Sequence, residues 1–222
     1  MWKLLCIAAC LPAFSQDWAR ERLDKSTRHQ EWLYLKHDGR TVDTFIVYPE
    51  VSQKTPVILI IHDGQGLTEW AQSLADAVAE AGYIALAPDL LSGMGPKGGG
   101  SIDFAPGTVA QGIAKLPPEQ IAAYLDAVAD YARKIPAANG KVAIAGFGWG
   151  ASQALRFAAS HADLAAVYLF GAQERPPSTP SVFDFPGPAD FMRLGDAPNA
   201  SGPAKKARDD AWEQWKKLLA KL

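Results

Sequence analysis

The chain has 222 residues, of which 48% are apolar, and a formal net charge of −2 from 22 basic and 24 acidic residues. That length and apolar content suffice for one sizeable core and predict a single domain. The charges are balanced, and the one Lys-rich stretch near the C-terminus is interleaved with acids, which argues against a nucleic-acid partner.

The N-terminal segment "MWKLLCIAACLPAFSQ" stands apart from the rest. Lys3 makes a short positive region, an apolar run follows to Phe14, and Ala13 and Ser15 occupy −3 and −1 of a cleavage site before Gln16. This reads as a secretory signal over residues 1–15, too short to span a membrane, and predicts a secreted or periplasmic protein with no membrane attachment after cleavage. Two competing readings are a buried N-terminal helix and a lipoprotein box ending at Cys10. Cys6 and Cys10 are the only cysteines, so signal cleavage would leave residues 16–222 with no thiol, disulfide or thiolate metal site. His29, His37, His62 and His161 lack metal-ligand spacing. No metal and no cofactor are expected.

Residues 17–30 are polar and charged and predict a lead-in helix or arm. Residues 31–50 hold two strand-like runs around Asp38-Gly39, a strong hairpin signal. The continuous apolar run "PVILIIH" predicts a strand covered on both faces. Trp70, Leu74, Ala77, Val78 and Ala81 recur at helical spacing, with Gly82 as the stop. A strand over residues 83–89 leads into the Gly/Pro-rich segment 90–107, read as a mobile surface cap. Its "GMGPKG" is a literal G-x-G-x-x-G, but Pro96 removes an N–H and no helix opens after it, so it carries no nucleotide reading. Residues 117–135 predict a helix with Ile121, Leu125, Val128, Ala132 and Ile135 inward. "KVAIAG" is a strand, 151–160 a helix, and "LAAVYLFG" another strand. A last helix over 204–222 is expected to bury Ala207, Ala211, Trp215, Leu218 and Leu222. Strands alternating with helices after an antiparallel hairpin make an α/β three-layer sandwich with a mostly parallel sheet. Ligands on such sheets bind beyond the carboxyl ends of the strands.

At that edge lies "VAIAGFGWGASQALRFA". An apolar strand, G-x-x-x-G and a helix occur in the order of a nucleophile elbow, yet the nucleophile position is Gly148. The Trp149 N–H would face the oxygen of a bound acyl group, with Gly64 in "IIHDGQGL" as the second donor.

The chain resembles the dienelactone hydrolases, specifically their secreted bacterial relatives. The resemblance rests on "HDGQGL", "YIALAPDLLSGMGPKGGG", "PAANGKVAIAGFGWGASQ" and "FPGPADFMRLGDAPNASGPAKKARDDAWEQW", and spans residue 17 to the end. It implies an α/β-hydrolase fold acting on esters or lactones through a Cys, Asp and His triad. An acid after the third strand helps hold the resting Cys, and a C-terminal Arg binds a substrate carboxylate. Carried over, the nucleophile falls on Gly148 and the base on Ala189, in "PGPADFMR". The acid after His62 is Asp63, and the Arg is Arg193. The family's acid-bearing strand and following helix have no counterpart. Only "AQERPPSTP" separates "AAVYLFG" from "SVFDF", and nine residues with three prolines cannot form both. The sheet is therefore expected to end early or reconnect.

Three expectations follow. The first is a catalytically impaired scaffold that keeps a small acyl- or carboxylate-binding cleft at Asp63, Gly64, Trp149 and Arg193. The second is a weak hydrolase in which Asp63 or Asp89 activates water. The third is a decayed, non-functional paralogue. Ser152, His62, His161, Ser92 and Ser101 offer no replacement triad: Ser152 is a turn into its helix, and the two cap serines lack evident partners.

Overall fold

The computed structural model describes residues 17–174 and 181–222. The segment read as a signal, with Cys6 and Cys10, lies outside the described residues, as do residues 175–180.

The elements follow the hydrophobic pattern. Helix α1 (Asp17–Asp24) precedes the hairpin β1 (Gln30–His37) and β2 (Arg40–Val47). Asp38 and Gly39 both take positive φ, 47° and 77°, as a two-residue hairpin turn requires. Then come β3 (Thr55–Ile61), α2 (Glu69–Glu80), β4 (Ile84–Pro88), a short α3 (Val109–Ile113) and α4 (Pro118–Lys134). The chain continues with β5 (Ala138–Phe147), α5 (Trp149–Ala158), β6 (Val167–Phe170), β7 (Val182–Phe185), α6 (Phe191–Asp196) and α7 (Gly202–Leu219).

The sheet order is β1-β2-β4-β3-β5-β6-β7. β1 and β2 run antiparallel and every pairing from β4 to β7 is parallel. All seven residues of β3 are buried, because helices cover both sheet faces. Alternate β3 residues feed two cores: Ile58 and Ile60 pack with α1, α2 and α7, while Val57, Leu59 and Ile61 pack with α4 and α5. This is the expected three-layer α/β sandwich.

The C-terminal half of the sheet reconnects. Eleven residues, 171–181, carry the chain from β6 back to β7, which pairs parallel with β6 in the next position. The register sets Phe147 opposite Phe170 and Phe170 opposite Phe185. Their rings stack with centroids 4.6 and 4.3 Å apart. Trp215 of α7 stands edge-on over Phe170 at 4.9 Å. Each buried phenyl contributes roughly 1.5–3 kcal/mol, so this ladder is what attaches the four-residue β7.

Two details depart from the sequence reading. α7 buries Ala211, Trp215 and Leu219, whereas Ala207 is exposed and Leu218 and Leu222 are half-buried. Its first two turns lie against α6, with Gly195 beside Ala204 and Arg208, so the stripe that faces the core begins later. The segment 90–107 is pinned rather than free-standing. Ser101 donates from its N–H and Oγ to Asp89 (2.6 and 2.5 Å), and its Oγ accepts the Leu67 N–H at 3.0 Å.

Candidate active site

The carboxyl end of β5 delivers the chain into the elbow. Gly148 sits at φ 52°, ψ −114°, and α5 opens at Trp149. A side chain at this φ is strained on the order of 1–3 kcal/mol. Gly148 N–H donates to the Phe170 carbonyl at 2.8 Å, which fixes the turn against β6. The next glycine is required by space, since a Cβ on Gly150 would overlap the His62 carbonyl oxygen. Trp149, as the first helical residue, keeps an N–H without an intrahelical acceptor. This leaves an oxyanion-type donor on the elbow.

The space above Gly148 is filled. A Cβ there would come within 2.5 Å of the Ala189 carbonyl oxygen and 3.3 Å of the Ala189 Cβ. The fold thus brings together the two positions that the family resemblance assigns to nucleophile and base, and neither carries a reactive group. The loop holding Ala189 runs from β7 to α6 and lies against the elbow.

His62 and Asp63 follow β3. His62 is buried, with Nδ1 2.8 Å from the Asp63 carbonyl oxygen, and Nε2 accepts the Leu90 N–H at 3.4 Å. Its ring stacks on Trp149 at 5.5 Å. Both ring nitrogens are thus engaged with backbone. Gly64 is the second residue of the turn that Gly66 N–H closes onto the Asp63 carbonyl.

The Asp63 carboxylate meets Arg193. Arg193 Nε donates to Asp63 Oδ2 at 2.9 Å, and Gln65 N–H donates to Oδ1 at 2.8 Å. The Arg193 guanidinium also reaches Asp190 at 3.4 Å. The side chain of Asp63 is 5% exposed and that of Arg193 20%. The cation expected to take a ligand carboxylate is therefore held by carboxylates of the chain itself. Asp89, the other acid at this edge, accepts from the Leu91 N–H at 3.0 Å and from Ser101. The cap serines have partners after all: Ser92 Oγ donates to the Asp89 carbonyl at 2.5 Å.

Ser152 is half-buried within α5. His161 lies past the other end of α5, its Nδ1 2.8 Å from the Phe157 carbonyl and its Nε2 2.9 Å from Asp126 Oδ1. Among the described residues no cluster of His, Cys, Asp or Glu is arranged to hold a metal ion. Sequence reasoning did not find the Asp63–Arg193 pair, whose members are 130 residues apart. The only available signal was the family's own use of an acid and an Arg near these positions.

Comparison with known proteins gives a consistent result. The model of the family described as "Dienelactone hydrolase family" matches residues 42–184. A candidate hydrolase fragment, YghX, of Escherichia coli (strain K12) is 46% identical over 52 residues, covering 23% of this chain and 44% of that protein. A candidate carboxymethylenebutenolidase of Salmonella typhi is 30% identical over 141 residues, covering 62% of this chain and 51% of that protein. The chain thus spans about half the length of the curated relatives it matches. A candidate dienelactone hydrolase of Klebsiella pneumoniae superposes with a TM-score of 0.72 at 15% identity, over 89% of this chain and 100% of that one. That likeness shows the fold.

Proposed function

The chain belongs to the dienelactone hydrolase family, and from that premise we propose that it is a hydrolase scaffold impaired in ester and lactone turnover. What remains is a cleft for small acyl or carboxylate compounds. The observation carrying this reading is the contact of Gly148 with Ala189. Where the family needs a nucleophile and a base, there is neither the chemistry nor, at Gly148, the room for a side chain. Loss of a nucleophile or base lowers turnover by about 10⁶, and an oxyanion hole alone retains roughly 10³–10⁴ over water.

Water activation by Asp63 or Asp89 is the weaker reading. A general base needs a free lone pair directed at its water. Asp63 is occupied by Arg193 and Gln65, and Asp89 by Leu91 and Ser101. A ligand carboxylate enters this cleft by displacing Asp63 from Arg193, with its acyl oxygen toward the Trp149 N–H. Export to the periplasm or beyond belongs to the same proposal and rests on the composition of residues 1–15.

The test is a panel of activated esters and a dienelactone, run beside a fluorophosphonate probe with adduct mapping. Turnover is expected to match buffer, with no covalent label. A stoichiometric adduct on a cleft side chain, or turnover that disappears on Asp63→Ala, overturns the proposal.

A further inference from the structure

A cavity lies away from the elbow, toward the other end of the strand order. β2 stands three strand positions from β5, on the order of 14 Å away. The end of β2 overhangs β4: the pairing begins at Thr44 opposite Pro88, so residues 40–43 run past the β4 terminus. The overhang, the segment after β4 and the first two turns of α4 border about 460 Å³. That is within the range of small-molecule sites.

The chemistry of its wall is specific. Arg40 and Asp43 both line it, with Thr41, Met94, Gln120 and Tyr124. Among the described residues the Arg40 guanidinium bonds only a neutral group, the Gln120 side-chain oxygen, at 2.8 Å. The Asp43 carboxylate has no hydrogen-bond or ion-pair partner among the described residues, although the backbone of Asp43 is fixed by Ser92 Oγ and the Asp89 N–H. The two opposite charges therefore face one space without neutralising each other. Tyr124 lines the same space. Its phenol is pushed up chiefly by burial, and feels Arg40 lowering and Asp43 raising its pKa. Its hydroxyl is anchored on the Ser92 carbonyl at 3.1 Å. Burial, and then the charges of Asp89 and Asp103, push the Asp43 carboxyl above its usual range. A cation brought beside it would relieve that penalty. Thr41 lies two residues from Asp43, on the same strand face, and lines the cavity too.

We propose that this cavity is a binding site for a small zwitterion, a free amino acid, with the ligand carboxylate on Arg40 and its ammonium on Asp43. Gln120 holds the guanidinium in place, and Met94 supplies an apolar wall for the ligand side chain. The ligand bridges two charges that the fold keeps apart, so neither charge alone defines the site.

The experiment is calorimetric titration of the full chain with free amino acids from glycine to L-methionine, alongside n-butylamine and butyrate as single-charge analogues. At least one amino acid is expected to bind below ~10 mM, with the single-charge analogues weaker by roughly tenfold or more. Arg40→Gln and Asp43→Asn should each weaken binding by about tenfold. Each variant's thermal transition is recorded to show that it folds, and the NMR shift of the Gln120 side-chain amide gives a second readout. Silence of the whole amino-acid series overturns the proposal, as does equal binding of a single-charge analogue or unchanged affinity in both variants. No ester chemistry is involved, so this outcome stands apart from that of the hydrolase assays.

Discussion

Gly148 and Ala189, 41 positions apart, are in van der Waals reach: a Cβ on the glycine would lie 2.5 Å from the alanine carbonyl oxygen. The elbow therefore tolerates no side chain without movement of the loop after β7. Gly148→Ala is expected to lose about 2 kcal/mol or more, part from the positive φ and part from overlap. Chemical denaturation would measure it.

Restoring the family residues at those two positions should not restore catalysis. Gly148→Cys with Ala189→His supplies a thiol and an imidazole but no third group to orient the base. Hydrolysis of an activated ester by the double variant is expected to stay at the level of the parent chain. Burst kinetics with the ester would reveal any acyl-enzyme.

The Asp63–Arg193 pair should behave as a structural coupling between the loop after β3 and α6. Asp63 is the more buried member, and removing one partner of a buried pair costs about 3 kcal/mol. Asp63→Ala and Arg193→Ala are each expected to approach that loss. The double variant should lose clearly less than the sum, the signature of direct interaction in a mutant cycle.

The phenyl ladder makes β7 dependent on its neighbours. Phe170 stacks on both Phe147 and Phe185. Phe170→Ala should cost about 3–5 kcal/mol, near the maximum for a single core truncation. Hydrogen exchange in this variant is expected to rise first at β7, whose only strand partner among the described residues is β6.

Asp43 gives a pH dependence of definite sign. Its carboxyl is raised in the fold from the ordinary value of 3.8 by burial and by Asp89 and Asp103. Between the unfolded and folded values the folded chain holds more protons, so this group lowers stability as pH rises through that window. Asp43→Asn removes the penalised charge. It should raise Tm at neutral pH and flatten the stability profile above about pH 4. Thermal melts from about pH 4 to pH 7 test this.

Much of the architecture was legible because its signals are local. The apolar run of β3, Asp38-Gly39 between β1 and β2, and the glycines around Phe147 and Trp149 each state their structure within a few residues. The β7 position was not legible, because "SVFDF" is short and what holds it is the register of Phe185 against Phe170. Segment 90–107 looked mobile from its glycines and prolines. Its anchors are two serines, Ser101 reaching back to Asp89 and Ser92 held by Asp43 and Tyr124. The pairing of Asp63 with Arg193 likewise depends on where α6 falls once β7 is seated, which no local pattern encodes.

The seat taken by β7 has a wider consequence. Parallel strands sit about 4.8 Å apart, so a sheet that forgoes one strand draws everything after it inward by one spacing. The loop that leaves β7 is thereby set down on the turn after β5 rather than beside it. The short link from β6 to β7 and the crowding above Gly148 then have one geometric origin, which exchanging side chains at the elbow does not alter.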